Sequence, residues 1–150
     1  MSNIKKIMVA VDFSEYSAQV VDYAGRLAET LGAELIFVNV INQRDVDMVK
    51  QVEMYTDKIS VKSYVDGLKQ DRAEEMLKLL EEKNCTRIPN RFVIKKGVPF
   101  AELVETAKEE RVDMVIMGTK GRGNIAGILM GSQAEKMFRH CPVPLLSIRE

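Results

Sequence analysis

The chain has 150 residues, 46% of them hydrophobic and 29% charged, which suits a soluble globular protein with apolar material for one core. Lys and Arg total 22, and Asp and Glu total 22, so neither charge-driven disorder nor a coat for a polyanion fits. With no global field to gather nucleic acid or an anionic membrane, any anion site must be local.

In chain order, Ile4 to Val11 holds the nearly continuous run Ile7-Met8-Val9-Ala10-Val11, the pattern of a strand covered on both faces, as in a parallel sheet. Asp12-Phe13-Ser14 ends it. Ser14 is the expected N-cap of a helix in which Ser17, Val21, Ala24, Ala28 and Leu31 recur at helical spacing, with Gly32 as its stop. Leu35 to Ile41 is a second strand and completes a βαβ unit. Asn42 to Asp57 is polar, with scattered Met48, Val49, Val52 and Met54, and reads as an exposed helical turn or a loop. From Lys58 to Lys83 the helical period returns through Val61, Tyr64, Val65, Leu68, Ala73, Met76, Leu77 and Leu80.

Arg91 to Lys95 is a short third strand broken by Gly97, and Pro99 fits the first turn of the next helix, which carries Phe100, Leu103, Val104 and Ala107. Met114 to Met117 is the fourth strand, and a glycine-rich loop runs from Gly118 to Gly131. A short helix from Ser132 to about Arg139 and a last strand from Val143 to Ile148 close the chain. Five strands alternating with four helices, without linker or repeat, predict one domain over residues 1–150. Its fold class is α/β, a three-layer α/β/α sandwich on a parallel sheet.

The chemistry concentrates in Met117 to Ser132, which holds five of the nine glycines. Glycine lets backbone N–H groups converge on an anion without a Cβ in the way. The loop leaves the carboxyl end of a strand and enters a helix N-terminus, the two places where α/β proteins bind phosphate. It also carries Lys120 and Arg122 and no acidic residue. A plain surface turn explains the glycines as well, and Ser132 and Glu135 have the spacing of a capping box. The Walker spacing is absent, which excludes a P-loop NTPase. Gly121 to Ala126 fits the loose dinucleotide fingerprint, but after the wrong strand. A phospho-receiver site and a flavodoxin phosphate loop both lack their residues after the first strand.

Gly118-x2-Gly121-x9-Gly131-Ser132 resembles the nucleotide-binding motif of the universal stress proteins. Ile7 to Ser14 resembles that family's first strand and turn, and Cys141 to Leu146 its last strand. The resemblance implies a Rossmann-like sheet of order 3-2-1-4-5, of the adenine nucleotide alpha hydrolase-like type, that binds ATP between strands one and four. Ala10, Val11 and Asp12 would flank the adenosine and Val40 would contact the adenine. Met117 and Gly118 would line the site, and Gly121, Gly131, Ser132 and Gln133 would reach the phosphates. Lys120 and Arg122 add charge by electrostatic inference alone. Mg²⁺ would bind through the phosphates, with Asp12 the one acidic residue expected at the crevice. The resemblance also implies a homodimer through Val143 to Ile148, although Pro142 and Pro144 limit pairing there.

A nucleotide-dependent stress-response module, a slow ATPase or phosphotransferase, and a nucleotide-independent interaction protein are the function classes that remain. No general base or nucleophile is assigned. The two cysteines, Cys85 and Cys141, and the one histidine, His140, cannot build a disulfide framework or a four-ligand zinc site. Cys85 is expected to be a semi-exposed thiol and His140 a helix-end residue. No run approaches the ~20 apolar residues of a membrane span, and the first residues do not make a signal peptide, so a cytoplasmic protein with reduced thiols is expected.

Overall fold

A computed structural model of the protein describes residues 3–120 and 131–149. Its elements are β1 (Lys6–Ala10), α1 (Ser17–Leu31), β2 (Glu34–Asn42), α2 (Gln43–Glu53), α3 (Val61–Glu82), β3 (Asn90–Gly97), α4 (Pro99–Glu109), β4 (Met114–Gly118), α5 (Ser132–His140) and β5 (Leu145–Ile148). The strands form one sheet of order β3-β2-β1-β4-β5, and every pairing in it is parallel. This is the fold and the strand order expected.

The continuous apolar runs are explained by cover on both faces. Ile7, Val9, Leu35, Phe37 and Ile116 point to one side, where Val21, Ala24 and Ala28 of α1 and Met76 and Leu80 of α3 pack on them. Met8, Ile36, Val38 and Val115 point to the other, against Leu103 and Ala107 of α4 and Ala134 and Met137 of α5. Burying a large aliphatic side chain contributes about 2 kcal/mol, and Ile7, Met8, Val9, Leu35, Ile36 and Phe37 are all fully buried. β1 and β2 are therefore the centre of the fold. No described helix is long and apolar enough to cross a membrane.

Local structure departs from the sequence reading at several places. Ser14 is not the N-cap of α1: the cap is Tyr16, without a side-chain bond. The Ser14 hydroxyl accepts from the Tyr16 N–H at 3.3 Å instead, because the Asp12 carboxylate holds the whole turn. Residues 43–53 are a full helix, capped by the Asn42 side chain, which accepts from Arg44 N–H. Only Val46 of α2 is buried, against Ile41 and Val65. One buried residue in a polar segment leaves little periodic signal.

In α3 the buried stripe is Val65, Met76 and Leu80, while Leu77 is 54% exposed. The stripe passes through Arg72, four residues before Met76, rather than through Ala73. β3 is longer than expected because it pairs with β2 from Leu35↔Asn90 to Asn42↔Gly97. α5 is capped by Gly131, so Ser132 is its first helical residue and forms no capping box. β5 starts only at Leu145, after two prolines, although the Pro144 carbonyl still accepts from Val115 N–H at 3.0 Å. Cys85 is 3% exposed, not half open. Its thiol lies under α1, and burial pushes its pKa up, with Asp22 adding to the effect.

Candidate functional site

Parallel strands deliver their carboxyl ends to one edge of the sheet, and the chain leaves β1 and β4 towards opposite faces. A cleft opens where the two directions part. Its volume is about 360 Å³, within the usual range for a small-molecule site. Ten residues expected at the site line it: Ala10, Val11, Asp12 and Val40 on one side, Met117, Gly118 and Lys120 on another, and Gly131, Ser132 and Gln133 at the start of α5. Gly121 and Arg122 lie outside the described residues.

The β1 end is held tightly. Val11 N–H donates to the Val38 carbonyl at 2.9 Å, the last rung between β1 and β2. Asp12 Oδ1 then accepts from Ser14 N–H at 2.9 Å and from the Ser17 hydroxyl at 3.1 Å. Between them Phe13 adopts φ 59°, a left-handed conformation that is costly for a side chain of this size. Its ring meets Phe92 edge-on at 6.1 Å. The turn is thereby fixed from both sides.

The β4 end is equally constrained. A Cβ on Gly118 would come within 3.1 Å of the Lys120 carbonyl and 3.4 Å of Val20, so the close turn favours glycine. Thr119 is buried, and its N–H donates to the Ile148 carbonyl at 3.0 Å. Gly131 N–H donates to the Thr119 carbonyl at 2.6 Å, which brings the two ends of the glycine-rich segment together. Gly131 has φ −69°, so its backbone does not itself demand glycine.

The first helical hydrogen bond of α5 runs from Glu135 N–H to the Gly131 carbonyl at 3.0 Å. The N–H groups of Ser132, Gln133 and Ala134 precede it and point out of the helix end, with the positive end of its dipole. No side chain among the described residues caps this end, and Ser132 is exposed, so its hydroxyl is not committed to the helix. Gln133 Oε1 is buried and has no hydrogen-bond partner among the described residues. Buried polar atoms are rarely left so, and one in a cleft wall marks a place for a donor.

Sequence reasoning missed several lining residues. Asn39, Arg44, Asp45 and Arg72 reach the cleft from β2, α2 and α3. Asp45 corrects the expectation that Asp12 would be the one acidic residue there, because the α2 helix turns its first residues back over the end of β2. Asn39 was detectable as a polar residue in the middle of an apolar strand. His140 ends α5 and its ring lies 5.4 Å from Phe100, away from the cleft lining. No group of three or more metal-ligating side chains occurs among the described residues.

The sequence model of the universal stress protein family matches residues 3–149. This chain belongs to the universal stress protein family. Universal stress protein MJ0577 of Methanocaldococcus jannaschii is 27% identical over an alignment covering 97% of this chain and 94% of its own. Its solved structure superposes with a TM-score of 0.83 at 26% identity, covering 99% of this chain and 98% of that one. Two further solved universal stress proteins share the fold. One, in complex with cAMP, is 22% identical with a TM-score of 0.64 and covers 99% of this chain and 98% of its own. The other, from Archaeoglobus fulgidus in complex with dAMP, is 14% identical with a TM-score of 0.65 and covers 98% and 99%.

Proposed function

We propose that this universal stress protein binds ATP in the cleft between the ends of β1 and β4 and works as a nucleotide-dependent stress-response module in the cytoplasm. The observation that carries the reading is the meeting, in the wall of the cleft that Asp12 also lines, of the α5 N-terminus with Gly118, Thr119 and Lys120, joined by the bond from Gly131 N–H to the Thr119 carbonyl. Helix N–H groups and a nearby ammonium are the donors that phosphate oxygens require. The α5 N-terminus, Ser132 and Lys120 hold the phosphates, and Gln133 Oε1 accepts a donor from the ligand or its water. Asp12 faces the ribose hydroxyls, and Val40 and Met117 line the base. Further support comes from the two members of the fold solved with cAMP and dAMP.

The Asp12 Oδ1 atom is already engaged by Ser14 and Ser17, so the Mg²⁺ that accompanies ATP would be held mainly by the phosphates. The working form in this reading is a homodimer joined through the last strand.

The test begins with purified protein, denatured to release any bound nucleotide for chromatography and mass spectrometry. The stripped chain is then titrated with ATP. Gly131→Val should keep the fold, since the backbone is in an ordinary conformation and, among the described residues, an added Cβ meets only the Thr119 carbonyl, at 3.5 Å. Its branched side chain should weaken ATP binding about tenfold or more by crowding the backbone donors. Wild-type protein that holds no nucleotide and gives no isotherm, or a folded Gly131→Val chain with wild-type affinity, would sink the proposal.

A further inference from the structure

Asn39 is 3% exposed in a strand whose neighbours Leu35 to Val38 and Ile41 are fully buried apolar residues. A carboxamide in such a place is costly unless its donors and acceptor are used. Two partners use them. Asn39 Nδ2 donates to the Val11 carbonyl at 2.7 Å, and Asn39 Oδ1 accepts from the Arg72 guanidinium at 2.5 Å. A carbonyl only accepts and a guanidinium only donates, so the amide has one permissible orientation. Arg72 is itself anchored, because it occupies the sheet-facing stripe of α3 one turn before the buried Met76.

The Val11 carbonyl belongs to the peptide that carries Asp12. The backbone rung from Val11 N–H to Val38 is the last between the two strands, and beyond it the side chain of Asn39 replaces the ladder. The chain is thus held at the point where it turns into the cleft. Asp12, Asn39 and Arg72 all line that cleft.

We infer that Asn39, oriented by Arg72, is a positioning residue for nucleoside recognition: it sets the Val11–Asp12 peptide against which the adenosine half of the ligand binds. The inference rests on the nucleotide reading above, and it divides the cleft into two halves that answer differently to mutation. The phosphate half is built from the end of β4, Lys120 and the start of α5, and Asn39 makes its hydrogen bonds to Val11 and Arg72 instead. The nucleoside half hangs on the β1 end.

The test uses Asn39→Asp, which keeps the size and the acceptor for Arg72 but turns a carboxylate oxygen towards the Val11 carbonyl. Arg72→Met serves as the second variant, because it frees the amide to rotate. Calorimetric titrations with ATP, adenosine and inorganic tripolyphosphate are compared with wild type, with folding checked by circular dichroism. ATP and adenosine should both bind about tenfold more weakly, while the tripolyphosphate affinity stays as it was. Unchanged ATP affinity in either folded variant overturns the inference. So does an equal loss for all three ligands, which would mean only a general loosening of the fold. If wild-type protein binds tripolyphosphate but not ATP or adenosine, the nucleotide reading fails and this one falls with it. A normal wild-type ATP isotherm with no selective loss sinks the positioning role alone.

Discussion

At the scale of single residues, the turn after β1 holds backbone strain in place with side-chain bonds. Phe13 at φ 59° costs about 1–2 kcal/mol relative to an ordinary conformation, and the Asp12 bonds to Ser14 and Ser17 keep it there. Part of that cost is offset by the ring contact with Phe92. Phe13→Gly should lose the contact but shed the strain, whereas Phe13→Val loses the contact and keeps a branched side chain in the left-handed region. Urea unfolding should therefore find the glycine variant about 1 kcal/mol more stable than the valine variant; the reverse order would show that the turn is not strained. Residues of this kind were only half legible in the sequence. Asp12, Gly118 and Gly131 stood at strand and helix ends, where the topology of a parallel sheet collects them. Phe13 looked like an ordinary loop aromatic, since a positive φ leaves no trace in residue type when the residue is not glycine. Asn39 left a trace, a polar residue inside an apolar strand, but its partner Arg72 left none: periodicity assigns a charged residue to solvent, and this one turns back to the buried amide.

At the scale of elements, legibility followed the depth of burial. β1, β2 and α1 were evident because nearly every second or third position is in the core. α2 was not, because a helix with one buried residue is stabilised by its Asn42 cap and by the neighbouring α3 more than by an apolar face. The packing of α1 shows what the deeper contacts demand. Gly25 lies buried in the middle of that helix, where alanine would ordinarily add up to about 1 kcal/mol of helix propensity. Here a Cβ would collide with Cys85 Sγ and would also meet Ile88 at 3.6 Å. Gly25→Ala should instead destabilise by about 1–3 kcal/mol. In the Cys85→Ala background, with the sulfur gone, the same change should cost much less. A double-mutant cycle by denaturant unfolding should give a coupling of at least about 0.5 kcal/mol. Strict additivity would mean that α1 and the 83–89 connection shift apart freely, contrary to the close contact seen.

At the scale of the whole molecule, the two edges of the sheet are unlike. β3 carries Arg91, Lys95 and Lys96, and the first two pair with Glu110 and Glu109 of the neighbouring helix; the Arg91 hydrogen bond also holds the Glu110 carboxyl below the ordinary carboxylate range. A charged edge of this kind resists strand pairing. β5 is short and carries no charge from Leu145 to Ile148. In a parallel ladder both polar groups of a residue face the same neighbour. Since the Pro144 and Ile148 carbonyls accept from Val115 of β4 and from Thr119 just beyond it, the N–H and C=O groups of Leu145 and Ser147 face the open side. The free edge available to a second copy is therefore narrow, and Pro142 and Pro144 already trim its approach. Ser147→Pro removes one donor from that open side and none from the ladder to β4, the position where an edge strand tolerates proline. If the homodimer forms through β5, sedimentation should show the wild-type chain at twice the mass of one copy and the Ser147→Pro chain as a monomer. ATP affinity should survive in that monomer, because residues of a single chain already line both sides of the cleft, from Asp12 to Ser132. A monomeric wild type, or a dimer that persists in Ser147→Pro, would move the association elsewhere. The exposed apolar side chains of Met48, Val52, Met54 and Tyr55 on and after α2 would then be the next surface to mutate.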